Sequence, residues 1–277
     1  MLVNSNGLLQ NALKEGYAIP AYNINNLEFT KFILEACNND KSPVILEVTE
    51  SSVKYFGGYD VVYNIVKSLI NNLSIKVPVV LHLDHGKSFE SCKSAIDAGF
   101  TSVMIDASSK SFEENIKITS DVVNYAKNHN VSVEAELGSI DKESDLTDVD
   151  SALEFVSITG INSLAPSIGN VHGIYTGNEK LDFERLGAIC KNVKIPLVLH
   201  GASGLDDNKI KTAIFCGVSK ININTDLQVA WTDELREFLD KDKKVYDPRI
   251  IIKSGEHKMK SMIHVKNTLF GSKNRAI

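Results

Sequence analysis

The sequence has no long hydrophobic segment and no excess of positive charge. None of its apolar runs approaches the roughly 18 residues that a membrane-spanning helix needs. Lys and Arg number 30 against 35 Asp and Glu, a formal net charge of -5 at pH 7, whereas proteins that bind nucleic acid usually offer positive charge to the phosphates. The N-terminus has no basic segment followed by an apolar stretch. We therefore expect no membrane or nucleic-acid partner, and a cytoplasmic location.

Cysteine is also scarce, and it never occurs in the closely spaced pairs that zinc sites and redox motifs use. The four cysteines are Cys37, Cys92, Cys190 and Cys216, each in a segment with a helical pattern. We predict reduced thiols in or near the core that take no part in chemistry.

The chain is long enough for one large domain. It has 277 residues, 43% of them hydrophobic, and short β-branched segments alternate with longer amphipathic ones, which predicts a parallel sheet covered by helices. The predicted strands are 17–23, 43–50, 77–84, 100–106, 131–138, 162–168, 195–200 and 218–225. Eight such units predict an α/β fold of the TIM (β/α)8 barrel type. We assign 1–277 to a single domain, with 239–277 as a helical C-terminal extension.

The alternative architecture is an open, doubly wound sheet. That fold usually has fewer strands and a glycine-rich first turn, whereas the first turn here reads Asn23-Ile24-Asn25-Asn26. Pro43, Pro78 and Pro196 stand before predicted strands, where a missing N–H is tolerated. The barrel is therefore the favoured fold.

Polar residues cluster where the predicted strands end, which is the face that carries the active site in TIM barrels. These strand-end residues are Asn23, Thr49, Glu50, Asp84, His85, Asp106, Glu136, His172, His200, Gly201, Thr225 and Asp226. Three imidazoles that converge at a barrel mouth predict a catalytic zinc site with an open position. Taken singly, each histidine could equally make ordinary hydrogen bonds at the start of a loop. His82 is assigned to packing or to support of this site.

Carboxylates stand beside the three histidines. Asp84 directly precedes His85, so it is placed for general acid/base work, or else accepts a hydrogen bond from a metal ligand. Asp106 and Glu136 end neighbouring strands and could hold another cation, orient the metal ligands or form simple ion pairs.

Two segments late in the chain are suited to an anion. The segment 200–204 reads HGASG and can present backbone N–H groups and a hydroxyl, while 222–225 reads NINT and ends the last strand. Loops after the seventh and eighth strands are the usual phosphate site of this fold.

Several strings, in order, resemble class II fructose-bisphosphate aldolases, especially the bacterial branch with shorter chains. They are AYNINNLEF near the start, LHLDHG at 81–86, DAGFTSVMIDAS at 97–108, VEAELG at 133–138, VHG at 171–173, LVLHGASG at 197–204, KININTD at 220–226 and YDPR at 246–249. The resemblance runs nearly end to end. It implies reversible aldol cleavage of a phosphorylated ketose, such as fructose 1,6-bisphosphate, into triose phosphates, with Zn²⁺ as the electrophile.

The resemblance also implies roles for residues. It implies that zinc is bound by His85, His172 and His200 and that Asp84 is the general acid/base. It also implies that Asp106 and Glu136 bind a second divalent or monovalent cation. The implied substrate contacts are Asn23, Thr49, Gly173, Gly201, Ala202, Ser203, Asn222, Ile223, Asn224 and Thr225. Arg249 resembles an arginine that reaches the distal phosphate from a neighbouring subunit, which implies a homodimer or homotetramer. By itself, Arg249 is a surface arginine.

The loop after ELG departs from the family pattern. The family usually has a Gly-Gly-acidic loop that supplies a catalytic glutamate, whereas 139–145 reads SIDKESD and is shorter. Glu143 is the best candidate for that glutamate, although it could equally be a solvated charge. Because of this difference, two alternative functions stay open. The chain could be a tagatose 1,6-bisphosphate aldolase, or a metal- or sugar-phosphate-binding barrel with little catalysis. A Schiff-base aldolase is disfavoured because Lys220 is predicted at the start of its strand.

Overall fold

The computed structural model describes residues 1–140, 145–173 and 180–276. Eight parallel strands form a closed barrel in which each strand pairs with its sequence neighbours and β8 closes on β1. The strands are β1 Ile19–Asn23, β2 Val44–Thr49, β3 Val79–Gly86, β4 Ser102–Ile105, β5 Ser132–Leu137, β6 Ser163–Pro166, β7 Leu197–Leu199 and β8 Val218–Ile223. The predicted TIM barrel is confirmed, and most strands are shorter than predicted because the predicted segments include residues of the flanking turns.

Helices follow the strands and cover the barrel. They are α1 Asn6–Glu15, α2 Leu27–Asn39, α3 Glu50–Phe56, α4 Tyr59–Asn72, α5 Phe89–Ala98, α6 Phe112–Lys127, α7 Val149–Thr159, α8 Phe183–Val193, α9 Asp207–Phe215, α10 Thr225–Lys241, α11 Pro248–Lys253 and α12 Glu256–Leu269. Ser88 and Ser111 begin α5 and α6 with capping boxes, which explains where these helices start. No described helix combines the length and apolarity needed to cross a membrane.

The apolar core lies between the strands and the helices. Outward-facing strand residues such as Leu81 and Leu83 belong to the same buried cluster as helix residues such as Phe32, Ile33 and Phe155. We call this layer the outer layer. It is continuous around the barrel, as expected when each helix buries one apolar stripe.

The barrel interior, by contrast, carries charge. Glu47 of β2, His82 of β3, Glu134 of β5 and Lys220 of β8 are at most 2% exposed and contact one another across the barrel. Interiors of this fold are normally filled by branched apolar side chains. This charged group lies beneath the strand ends where the sequence predicts the active site.

Residues that follow the last barrel helix form α11 and α12. Helix α12 packs against α2 and α10, and its Asn267 donates a hydrogen bond to Asp40 and accepts one from Tyr22. Lys266 lies 2.6 Å from Asp226 at the start of α10. The C-terminal segment is thus tied by buried polar contacts to the barrel.

The cysteines are all free. Cys37 and Cys92 are buried, while Cys190 and Cys216 are half-buried. Burial raises the pKa of Cys37 and Cys92 to about 12, so both remain thiols at neutral pH, in keeping with their predicted place in the core.

Candidate active site

A cavity of about 770 Å³ opens at the carboxyl ends of the strands. The predicted site residues in its wall are Asn23, Thr49, Asp84, His85, Asp106, Glu136, His172, Gly173, His200, Gly201, Ser203, Asn222, Asn224 and Thr225. The fold therefore brings together most of the residues singled out from the sequence. Their chemistry depends on how each is positioned.

Three predicted residues lie elsewhere. Ala202 and Ile223 are fully buried behind the cavity wall. Arg249 lies on α11 with its side chain 89% exposed and paired with Asp247, so it does not reach the cavity of its own chain. Glu143 lies outside the described residues.

A β-bulge near the end of β3 aims two neighbouring side chains into the cavity. In a regular strand Asp84 and His85 would point to opposite faces. Here the four residues of β3 from Leu83 to Gly86 lie against only three of β4, from Val103 to Ile105, and His85 has a positive φ of 49°. Gly86 is required at this bend because a Cβ there would lie 2.7 Å from the Met104 carbonyl oxygen. The bulge lets a carboxylate and an imidazole share the cavity.

Hydrogen bonds fix the orientation of two imidazoles. His85 Nδ1 lies 3.0 Å from Asp106 Oδ2, and His200 Nε2 lies 2.8 Å from Glu134 Oε1. Because an ionised carboxylate only accepts, each of these nitrogens carries the hydrogen. The opposite ring nitrogens, His85 Nε2 and His200 Nδ1, therefore face each other, 3.1 Å apart.

The facing nitrogens fit a shared metal ion. Tetrahedral zinc with Zn–N bonds near 2.0–2.1 Å separates two ligand nitrogens by about 3.3 Å. The ligand atoms of His85, His172 and His200 all lie within 4.8 Å of one another. Without a metal, burial lowers the pKa of His85, but Asp84, Asp106 and Glu136 outweigh it and raise that pKa to about 9. A proton and a metal would thus compete for the same nitrogen.

The loop that carries His172 is held against the end of β7. Asn170 donates a hydrogen bond to the His200 carbonyl oxygen (3.1 Å), and a Cβ on Gly201 would lie 2.0 Å from the Val171 carbonyl oxygen. Gly201 is therefore required for the close approach of the two loops. Asn170 was not among the site residues predicted from the sequence.

Asp84 is a buried carboxylate with one oxygen available. Its Oδ2 accepts a hydrogen bond from Asn23 Nδ2 (2.9 Å), while its Oδ1 has no hydrogen-bond partner among the described residues and lies 3.8 Å from His85 Nε2. Burial raises the pKa of Asp84, but the positive charges of His85 and Lys220 outweigh it and leave the pKa below its ordinary value. Asp84 is therefore ionised and able to accept a proton.

Asp106 and Glu136 form a second cluster with His85. Asp106 accepts hydrogen bonds from His85, from Lys87 Nζ (2.5 Å) and from Ser108 Oγ (2.7 Å). Burial raises the pKa of Asp106, but these bonds outweigh it and hold the pKa well below its usual range. Burial and the Asp106 charge raise the pKa of Glu136 to about 7. The Lys87 ammonium thus already neutralises the carboxylate that a second cation would need.

The opposite side of the cavity is built from backbone and small side chains. Ser203 Oγ accepts a hydrogen bond from the Asp226 N–H at the start of α10 (3.3 Å), and Asn25 Nδ2 donates to Asn224 Oδ1 (3.3 Å). Thr49 Oγ1 accepts from the Ser52 N–H and caps α3. Helix α10 begins at Thr225, so a helix N-terminus is present where the sequence predicts a phosphate.

Charged residues form a layer beneath the histidines, and the sequence did not lead us to predict this layer. Lys220 Nζ lies 2.7 Å from Glu134 Oε2 and 2.6 Å from Glu47 Oε1. Burial lowers the pKa of Lys220, but the carboxylates outweigh it and leave the pKa above its ordinary value. Lys220 is the third residue of β8 and points into the barrel. The alternation of inward and outward side chains along a strand could have revealed this layer. Lys220, like Glu134, stands two residues before a predicted site residue on its strand and therefore shares its inward face.

The comparisons with known proteins agree with this geometry. The family model described as fructose-bisphosphate aldolase class-II matches residues 3–275. A fructose-bisphosphate aldolase of Geobacillus stearothermophilus is 50% identical, and one of Staphylococcus epidermidis 47%, each over 99% of both chains. The crystal structure of the YdjI aldolase from Escherichia coli K12 superposes with a TM-score of 0.90 at 36% identity, covering 100% of both chains. The chain therefore belongs to the class II fructose-bisphosphate aldolase family.

Proposed function

We propose that this protein catalyses the reversible aldol cleavage of fructose 1,6-bisphosphate to dihydroxyacetone phosphate and glyceraldehyde 3-phosphate. The observation that carries the proposal is the convergence of three imidazoles on one point, with the available Asp84 oxygen 3.8 Å from one of them. A cavity of about 770 Å³ around this point is large enough for a sugar bisphosphate.

His85, His172 and His200 would hold Zn²⁺, which fits their facing ring nitrogens and the general zinc dependence of the family. Bound there, zinc supplies a Lewis acid that polarises the ketone carbonyl of the substrate. Asp106 and Glu134 fix the two ring orientations by accepting the hydrogens of the opposite nitrogens.

Asp84 acts as the base in the cleavage direction. Its carboxylate accepts the proton of the C4 hydroxyl, the C3–C4 bond breaks, and the electron pair of that bond moves towards the ketone oxygen. The C4 carbon leaves as the aldehyde of glyceraldehyde 3-phosphate. The hydrogen bond from Asn23 holds the carboxylate in place. Protonation at C3 completes dihydroxyacetone phosphate, and we assign it to Glu143.

The phosphate contacts are divided between the chain and a second copy of it. Gly173, the turn from Gly201 to Ser203 and the segment from Asn222 to Thr225 would bind the triose phosphate end. Arg249 projects away from its own cavity with its side chain 89% exposed, so it would serve the distal phosphate of a neighbouring subunit in a homodimer or homotetramer. A guanidinium suits that role because it can bind phosphate with two hydrogen bonds.

A second cation at Asp106 and Glu136 would have to displace an ammonium. Lys87 Nζ is 2.5 Å from Asp106 Oδ2, and the Lys87 side chain is 62% exposed, so it can swing into solvent. We propose that such a cation, divalent or monovalent, binds only when Lys87 moves away, and that the Lys87 ammonium neutralises Asp106 otherwise.

The first experiment measures release of triose phosphate from fructose 1,6-bisphosphate and from its tagatose epimer, in native, chelated and zinc-restored protein. We expect faster cleavage of the fructose substrate, its loss on chelation and its recovery with zinc. Preference for tagatose 1,6-bisphosphate would change the substrate assignment. Cleavage that survives complete metal removal would contradict the zinc site, and absence of turnover would favour a sugar-phosphate-binding role.

Asp84→Asn tests the base. It keeps the shape of the side chain and removes the charge, so we expect kcat to fall at least 100-fold, which is a typical contribution of a general base. Asp97→Asn is the control because Asp97 pairs with Lys93 on the surface. Zinc content, measured in both variants, separates loss of the base from loss of metal. Full activity of a zinc-loaded Asp84→Asn enzyme would contradict the assignment.

A further inference from the structure

We propose that Lys220 is a positioning residue that acts on the metal site through Glu134. Lys220 holds the Glu134 carboxylate, and Glu134 holds the His200 ring with its Nδ1 lone pair towards the metal position. This inference rests on the proposed zinc site and adds to it two buried residues that do not touch the metal or the substrate.

The three residues form a continuous chain of short contacts. Lys220 Nζ donates to Glu134 Oε2 at 2.7 Å, and the other oxygen of the same carboxylate accepts from His200 Nε2 at 2.8 Å. All three side chains are at most 2% exposed. Both Glu134 oxygens are thus used, so the carboxylate cannot rotate without breaking one of the two bonds.

Burial makes this arrangement decisive for His200. An imidazole can carry its hydrogen on either nitrogen, and only the form with hydrogen on Nε2 leaves Nδ1 free for a metal. The His200 ring is fully buried, and its Nε2 hydrogen has the Glu134 Oε1 atom as its acceptor at 2.8 Å. A negatively charged Glu134 selects the required form, and the ammonium offsets part of the cost of burying that charge.

Glu47 provides a matched comparison for Glu134. It is also fully buried and also contacts Lys220, at 2.6 Å, but among the described residues its carboxylate makes no hydrogen bond or ion pair with a histidine. The pKa of Glu47 is raised to about 8 by burial, so the carboxyl is largely protonated at neutral pH. The ammonium is then balanced mainly by Glu134. Two glutamates thus flank one lysine, and only Glu134 also contacts a proposed metal ligand, His200.

The test compares zinc affinity of Glu134→Gln, Lys220→Met and Glu47→Gln, with all proteins made metal-free and titrated against a chromophoric chelator. Loss of a group that orients a metal ligand typically weakens metal binding 10–100-fold. We expect that loss in Glu134→Gln, at least a tenfold loss in Lys220→Met, and a change of less than twofold in Glu47→Gln. The double variant Lys220→Met/Glu134→Gln should bind zinc as weakly as Glu134→Gln alone because both changes act through one carboxylate.

The tautomer of His200 in the metal-free protein is the second readout. Nitrogen-15 chemical shifts of the ring should show hydrogen on Nε2 in the wild type and in Glu47→Gln, and a mixture of forms in Glu134→Gln and Lys220→Met. Circular dichroism identifies any variant that fails to fold, and Glu134→Gln, which keeps shape and volume, then carries the test.

Outcomes for this inference and for the proposed function are distinguishable. A wild-type protein that binds no zinc would overturn the metal site itself. A wild type that binds zinc, together with a folded Lys220→Met protein of unchanged zinc affinity, would overturn the role of Lys220 and leave the metal site in place. Equal losses of zinc affinity in Glu47→Gln and Glu134→Gln would also overturn the role of Lys220, because they would indicate a general effect of the buried charges.

Discussion

The outer layer is apolar, whereas the barrel interior carries a group of charged side chains beside apolar ones, although the same strands supply both. In β3, Leu81 and Leu83 face the helices, whereas His82 and Asp84 face inward. The outer layer needs only apolar volume and shape, and helices on all sides provide it. The interior instead holds charges, which we propose support the metal position. On this proposal, stability is supplied mainly from outside the barrel and function from inside it.

The largest expected effect comes from leaving one interior charge without its partner. Lys220→Met should destabilise the metal-free protein by about 3–5 kcal/mol, because the Glu134 carboxylate stays buried without its ammonium. Neutralising the whole group, with Lys220→Met, Glu47→Gln and Glu134→Gln together, should return stability to within about 1 kcal/mol of wild type. Urea unfolding measures both values.

The zinc affinity of the same triple variant separates stability from function. The triple variant should be stable and still bind zinc weakly. If it recovered both stability and zinc affinity, the interior charges would have no function at the metal site. If it recovered neither, the charges would contribute to the fold as the outer layer does.

An apolar truncation in the outer layer should affect stability alone. Phe155 of α7 is fully buried and packs against Phe112, so Phe155→Ala should cost about 3–5 kcal/mol through lost burial and a cavity. The folded variant should bind zinc with wild-type affinity, as measured by chelator competition. A tenfold loss of affinity would break the separation between the two regions.

The pH dependence of stability should expose Glu47. Its pKa is raised from 4.5 to about 8 in the folded protein, so the folded state retains a proton that the unfolded state releases. The contribution of this proton to the free energy of unfolding is fully present below pH 4.5 and is lost as the pH rises to about 8. Wild type should therefore lose stability relative to Glu47→Gln across this window, by up to about 1.4 kcal/mol per pH unit. Parallel curves for the two proteins would contradict a protonated Glu47.

The smallest expected effect concerns a neutral hydrogen bond of the interior. His82 Nδ1 donates to Ser102 Oγ at 2.8 Å, because its Nε2 faces the Lys220 ammonium and must accept. Ser102→Ala should cost about 1 kcal/mol of stability, measured by urea unfolding, without the loss of zinc affinity expected of Glu134→Gln. A cost as large as that of Lys220→Met would place Ser102 among the essential interior groups.

The sequence predicts the outer layer and the position of the site well, for a physical reason. Alternating strand and helix patterns reflect local burial, and the carboxyl ends of the strands collect at one face of the barrel. The sequence alone therefore predicts that Asp84, His85, His172 and His200 lie close together. Contacts across the barrel are not local. Nothing near Lys220 in the chain indicates that Glu134 and Glu47 meet it.

Two further features escape a reading of the sequence. The bulge at His85 depends on how β3 pairs with β4, and the partner of Asp106 depends on where Lys87 points. Both arise from tertiary packing rather than from local pattern. Glu143, in a loop of altered length, lies outside the described residues, so its proton-transfer role stays a prediction.

The bulge in β3 also limits how this chemistry can be transplanted. An engineer who copied the aspartate and histidine onto a regular strand of another barrel would turn one of them to the outside. The transferable unit is Asp84-His85-Gly86 together with the extra residue against β4. A substitution at Gly86 would act on the proposed base and the proposed metal ligand at once, so these three positions should be inherited, or lost, together.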